Sequence, residues 1–368
     1  MSDGAALQKT KTTFYDSHKT FDDNFDNGPF GAFKTDKKYK DKGEPQHSFL
    51  GFPVYLPFGI AAGPLPTSRH IKGAFYNGFD VNVYKTQRTV PVPANPFPNV
   101  IPIDVNGDVT VEKAAEGLVM RDEFNEDPKQ LTITNSFGNP SRGPEYWVND
   151  VKEALEYEGK GQLLIVSVCG TIRAGQTQDE YFSDFAEAAR LVARAGAKAV
   201  ELNLSCPNVA NEGIICYTPE AVKIIVDKSR AAIGDKKLVI KIGYFTQEQQ
   251  PALEKILSEV SDKIDAISAI NTIPAAVRKY DGSQALPGEG RLKSGLCGAG
   301  IKWAGLEMVK RLDDLRKKQG YRYEIIGVGG VMTRDDYKSY VKAGADCVQT
   351  CTGAMWNPNL AAEIKASL

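Results

Sequence analysis

The stretch IIGVGGVMTRDDYKSYVKAGADCVQTCTGAM, residues 325–355, reads as strand, glycine turn, helix, strand and a second glycine-bearing turn. Its opening run is apolar on both faces, as a strand inside a parallel sheet requires. Gly327–Gly330 forms the turn, and the first-turn amides of the following helix offer a site for a dianion. Cys351–Thr352–Gly353 repeats that geometry after the next strand. Two successive strand–turn–helix units of this kind are the recurrent phosphate site after the seventh and eighth strands of a (β/α)8 barrel. Phosphorylated substrates and phosphorylated cofactors use such loops alike.

Working back toward the N-terminus, similar short apolar runs fall at Phe58–Ala62, Val81–Lys85, Leu164–Val168, Ala199–Asn203, Leu238–Ile242 and Ala266–Ile270. With Glu324–Val328 and Cys347–Thr350 they make eight. Helical periodicity occupies Asp179–Ala195, Pro219–Ile233, Gln247–Val260, Ala304–Lys317 and Arg334–Ala343. Alternating strand and helix predicts βαβ units. Eight strands favour a closed α/β TIM barrel, with an open doubly wound sheet as the competing arrangement. Two connections, from Thr86 to Leu163 and from Asn271 to Tyr323, exceed what a helix needs. Insertions of that size on catalytic-face loops build lids or interfaces. Thr132–Gly143 (TITNSFGNPSRG), inside the first, has the Gly and Pro density of an ordered loop.

The chain has 368 residues, 42% of them hydrophobic, and a formal net charge of −1. So balanced a charge supplies no long-range field for nucleic acid or an anionic membrane, which leaves a small-molecule partner. The six cysteines are scattered without metal-ligand spacing, so we expect no metal site and reduced thiols in the cytoplasm. No apolar stretch approaches a membrane span, and the N-terminus lacks a signal-peptide core. Residues 1–45 are polar with isolated aromatics (Phe14, Tyr15, Phe21, Phe25, Phe30, Phe33) and read as an extended arm ahead of a barrel over 46–368. Such an arm either wraps the barrel through its aromatics or stays disordered.

The residues that end the apolar runs are the informative ones. Lys85, Ser167, Asn203, Lys241 and Asn271–Thr272 close or follow successive strands, and barrel strand ends converge on one mouth. Asn135, Asn203 and Asn271, with Asn208 as a fourth, pair donors with acceptors in a way that suits a ring with amide or imide edges. Any one of them alone would be an ordinary loop cap. Lys85 and Lys241 suit an anion, although a lysine at a strand end also snorkels to the surface.

At ELNLSCPNV (Glu201–Val209) the chain resembles the class 1, cytosolic dihydroorotate dehydrogenases and, more distantly, the FMN barrel of dihydropyrimidine dehydrogenases. GIAAG (Gly59–Gly63) is similar to the family's first flavin loop and YKT (Tyr84–Thr86) to its lysine-bearing strand. NSFGNP (Asn135–Pro140), which includes Phe137 and Gly138, is similar to the loop that binds the substrate's acid end. The resemblance implies FMN-dependent oxidation of dihydroorotate, with Cys206 as general base. It implies substrate binding by Lys85, Asn135, Phe137, Gly138, Asn203, Asn208, Asn271 and Thr272. Lys241 would sit beside the flavin's N1 and O2 edge. Ala61, Ala62, Lys85, Thr86, Ser167, Asn203, Asn271, Gly295, Gly298, Gly329, Gly330, Cys351 and Thr352 would complete the FMN site. Reoxidation would fall to fumarate or a separate electron-transfer subunit, and a homodimer is expected.

Among the other thiols, Cys169, Cys297 and Cys347 read as inert buried groups, while Cys216 is the rival for the base. The chain departs from the family at Val92-Pro93-Ala94-Asn95-Pro96, where an Arg-Glu-Gly-Asn-Pro run usually brings a cation to the mouth. Ile101–Leu131 is longer than usual, and the lid after Asn208 reads VANEGIICYTPE. These differences leave two alternatives: a flavin enzyme acting on another dihydropyrimidine, cyclic imide or enone, and a flavin-free phosphate-binding barrel.

Overall fold

The computed structural model describes residues 13–205 and 215–368. Eight parallel strands form its centre: β1 Phe58–Ile60, β2 Val81–Gln87, β3 Leu163–Val168, β4 Ala199–Asn203, β5 Lys237–Ile242, β6 Ala266–Ala269, β7 Glu324–Val328 and β8 Cys347–Thr350. They pair in the order β1-β8-β7-β6-β5-β4-β3-β2. Apart from Lys237 and Glu324 at two strand starts, every residue in them is buried. Burial on both faces is why these segments read as unbroken apolar runs rather than alternating ones.

The seam between β1 and β2 decides between barrel and open sheet, and it is closed. The Asp80 N–H donates to Phe58 O at 2.9 Å, and the Ile60 N–H donates to Asn82 Oδ1 at 3.1 Å. A Cβ at Gly59 would lie 1.8 Å from Val81 O, so only glycine lets the two strands come this close. The barrel reading holds, and the doubly wound alternative falls.

Around the barrel lie α1 Ser68–Tyr76, α2 Pro144–Glu156, α3 Gln178–Ala195, α4 Pro219–Ile233, α5 Gln250–Val260, α6 Lys302–Gln319, α7 Arg334–Ala343 and α8 Leu360–Lys365. The five helices anticipated from periodicity correspond to α3–α7. Three escaped: α1 buries Ser68, His70 and Gly73, so its inward face is not an apolar stripe, α2 lies inside the first insertion, and α8 is only six residues long. Among the described residues, no helix is long and apolar enough to cross a membrane.

The two insertions meet over the C-terminal mouth. Val100–Pro102, Thr132–Asn135 and Leu118–Val119 from the first join Ile273–Arg278 and Lys293–Gly298 from the second in a five-stranded sheet. The loop expected over Thr132–Gly143 is therefore strand in its first four residues, paired to Val100–Pro102 on one side and Gly295–Gly298 on the other. Cross-strand pairing from distant insertions supplies a signal that local turn chemistry does not carry. The remainder is loop, with positive φ at Gly138 and Asn139.

Residues 13–45 lie on the barrel and are not extended throughout, since Phe21–Asn27 is helical. Phe14, Tyr15, Phe21, Phe25 and Phe33 are all buried, and Phe14 stacks on Phe33 at 3.9 Å. Asn24 fixes the turn by accepting from the Asp16 N–H and donating to Asp16 O and Thr20 O.

Gly59→Ala would force β1 off β2. We expect it to cost about 3 kcal/mol or more, the upper range for an overpacked core, read as a lowered denaturant midpoint; an unchanged midpoint would show that the seam is not tight.

Candidate active site

The barrel mouth and the insertion sheet enclose a cleft of about 1160 Å³, including its opening to solvent. Lys85, Thr86, Asn203, Lys241, Asn271 and Thr272 reach it from the ends of β2, β4, β5 and β6. Asn135, Phe137, Gly138 and Gly298 come from the insertion sheet and its loop. Ala62 follows β1, while Gly329, Gly330, Cys351 and Thr352 come from the turns after β7 and β8. Ala61, Ser167 and Gly295 sit one layer behind this lining. Ala61 donates its N–H to Thr350 O at 3.0 Å, and Gly295 lies so close to Thr272 that a Cβ would meet its Oγ1 at 2.3 Å. Cys206, Asn208 and lid residues 209–214 lie outside the described residues.

Side chains from four strand ends are tied in one chain. Ser167 Oγ and Thr86 Oγ1 share a hydrogen bond at 3.0 Å, and Asn203 Nδ2 donates to Thr86 Oγ1 at 3.2 Å. Asn271 Nδ2 donates to Asn203 Oδ1 at 3.1 Å and also to Ser205 O. The Thr272 N–H closes the series on Asn271 Oδ1 at 2.9 Å. Buried polar groups must find partners, so each member fixes the rotamer of the next. Asn271 thereby pins Ser205, the residue before Cys206.

Lys85 and Lys241 are 5% and 3% exposed, so neither snorkels outward. Lys85 Nζ stands 5.4 Å from the Phe137 ring centroid and 5.7 Å from that of Phe21, within cation–π range. Two buried ammonium groups in the cleft lining suit an anionic ligand, since a charged acceptor makes the stronger hydrogen bonds.

The glycine turns after β7 and β8 line the same cleft. Gly330 has φ 62°, and a Cβ there would meet Lys302 Cβ at 2.7 Å and Gly298 O at 2.8 Å. A Cβ at Gly353 would meet Val331 O at 2.2 Å. No acceptor among the described residues takes the N–H of Gly329 or Gly330. The first turn of α7 is partly occupied by its own cap. Asp336 already accepts from the Met332 and Thr333 N–H groups, and the Thr333 side chain accepts from the Asp336 N–H in a capping box. A carboxylate at that helix end competes with any other anion, whereas Gly329, Gly330, Cys351, Thr352 and Gly353 line the cleft itself.

The thiols divide by surroundings. Cys216 is buried beneath the Gly243 N–H, which donates to its Sγ at 3.4 Å, and burial pushes it up to about 12. It lies off the cleft lining, so it is no rival base. Cys297 does line the cleft, yet burial raises it to about 12 against a lowering contact from Asn135. Burial also raises Cys351, partly offset by Lys241.

Tyr15, Pro64, Val100, Cys297 and Ile301 also line the cleft, and none was singled out as a site residue from the sequence. Tyr15 belongs to the arm, far from every motif in the chain, and only its isolated aromatic character hinted at docking. Arg291 was missed as well. It reaches the loop that lacks the family arginine, donating to Ser136 O at 3.0 Å and Pro96 O at 3.2 Å. A cation is therefore present near residues 92–96, supplied by the second insertion.

Comparison with known proteins matches a family model described as dihydroorotate dehydrogenase to residues 123–368. A dihydroorotate dehydrogenase of Dictyostelium discoideum is 35% identical over 357 residues, covering 94% of this chain and 95% of the relative. Two proteins named as catalytic subunits of dihydroorotate dehydrogenase B (NAD(+)) are also similar. That of Petrotoga mobilis is 29% identical over 63% of this chain and 70% of its own length. That of Trichlorobacter lovleyi is 33% identical over 52% of this chain and 58% of its own length. A family match over residues 123–368, and a relative 35% identical over nearly the whole chain, establish that the chain belongs to the dihydroorotate dehydrogenase family.

Proposed function

We propose that this chain oxidises dihydroorotate to orotate, with FMN bound in the cleft as the hydride acceptor. The observation that carries the reading is one cleft lined both by buried lysines and linked amides and by glycine turns whose N–H groups find no acceptor among the described residues. An acidic cyclic imide complements the first set and a flavin phosphate the second.

Bound FMN supplies a two-electron acceptor; the residues supply everything else. Gly329, Gly330, Cys351 and Thr352 would hold its phosphate through backbone amides, with Ala61, Ala62, Gly295 and Gly298 shaping the surrounding wall. Lys241 would supply positive charge to the reduced ring, while Thr86, bonded to Ser167, braces Asn203. Lys85, Asn135, Phe137, Gly138, Asn203, Asn208, Asn271 and Thr272 orient the substrate. Its carboxylate faces the Asn135–Gly138 loop and Lys85.

Cys206 then takes a proton from the carbon next to the ring carbonyl, while the neighbouring carbon gives up hydride and a carbon–carbon double bond forms. A thiolate suits this step when nearby cations lower its pKa. The thiols of Cys216 and Cys297, held near 12, do not. We assign reoxidation to a separate partner, fumarate or an electron-transfer subunit, and expect a homodimer in the cytoplasm. Turnover of the isolated protein with fumarate separates the two oxidants.

Purified protein should be yellow and should bleach when dihydroorotate is added anaerobically. A colourless protein that binds no FMN, or a yellow one that dihydroorotate leaves unbleached, contradicts the reading. Cys206→Ser should slow bleaching at neutral pH by about 100-fold or more, recovering as pH rises, the loss expected for a general base of mismatched pKa. Bleaching at the parent rate across neutral pH would remove Cys206 from the mechanism.

A further inference from the structure

Tyr15 belongs to the N-terminal arm, yet it forms part of the cleft wall beside Asn135, Phe137 and Gly138. Its side chain is 3% exposed, and its hydroxyl has no hydrogen-bond partner among the described residues. A buried phenol normally finds one, because an unpaired polar group costs about 1–3 kcal/mol. Loose packing does not explain the vacancy. The Tyr15 ring meets Phe137 edge-on at 5.8 Å, and the Phe21 ring packs on Phe137 at 6.1 Å. The arm around it is cross-tied to the barrel: Arg69 donates to Asp26 O at 3.0 Å, and Arg142 pairs with Asp22 at 2.9 Å.

The surroundings define what the hydroxyl is waiting for. Phe21 and Phe137 flank the Lys85 ammonium, so one short stretch of wall presents a buried cation and a spare O–H donor beside the Asn135 amide. A neutral carbonyl would not need the cation, whereas a carboxylate uses both. Burial, reinforced by the Asp22 carboxylate, pushes the phenol above its ordinary range and keeps it a donor.

We propose that Tyr15 is a substrate-binding residue that donates a hydrogen bond to the carboxylate of the bound substrate, so that the arm completes the active site. The inference rests on the dihydroorotate reading above and deepens it. Specificity for the acid over the bare pyrimidine ring is then contributed partly by a segment outside the barrel.

The test uses full-length, FMN-loaded Tyr15→Phe, which keeps the ring packed on Phe137 and removes only the hydroxyl. Binding of orotate and of uracil, the same ring without the carboxylate, is measured by equilibrium dialysis beside the parent, with FMN content and thermal midpoint as fold controls. Orotate affinity should fall about 10-fold or more, as for a lost hydrogen bond to a charged group, with uracil affinity within twofold of the parent. Orotate affinity within twofold of the parent overturns the proposal. So does equal weakening of both ligands, which would mark a packing role. Failure of the parent to bleach with dihydroorotate would instead remove the reaction assigned to the site.

Discussion

The hydrogen-bonded chain Ser167–Thr86–Asn203–Asn271 is the constraint on which the rest of the site depends. It joins the ends of β3, β2, β4 and the turn after β6, elements separated by up to 185 positions in sequence, at the one place where a parallel barrel brings them together. Each side chain in it satisfies a neighbour that would otherwise be a buried orphan. Removing one therefore loosens several, including Ser205 and the segment leading to Cys206. A pocket built this way is set before any ligand arrives, which is what transition-state positioning requires.

Two further features gain their meaning from that frame. The lysines at the ends of β2 and β5 are held inward by buried strands, so their charge is spent on the cleft rather than on solvent. In the same cleft, the turn at Gly329–Gly330 presents N–H groups that no acceptor among the described residues takes. Cationic groups and open amides thus line one cavity. The sheet formed by the two insertions roofs it, and the arm contributes Tyr15 to its wall.

Much of this was legible before any coordinates. The eight strands were readable because strands buried on both faces must be apolar throughout, and their polar terminators pointed to the mouth. Lys85, Asn203, Lys241 and Asn271 are such terminators. What stayed hidden depends on contacts between distant segments. Thr132–Asn135 looks like loop until Lys293–Gly298 pairs with it. Arg291 carries no motif, yet it reaches Ser136 across 155 positions. The third residue of α7, Asp336, caps its own helix through Thr333, a pairing that sequence alone left open. Tyr15 could be placed only once the arm was seen docked.

The central claim is that substrate and cofactor share the cleft lined by these lysines and glycine turns. A crystal structure of the protein with FMN and orotate tests it most directly. The account predicts the phosphate within hydrogen-bond distance of the Gly330 and Gly353 amides, the ring system beside Lys241, and the orotate carboxylate between Lys85 and Asn135. A phosphate bound elsewhere, or orotate lodged away from the Ser167–Thr86–Asn203–Asn271 chain, would contradict it.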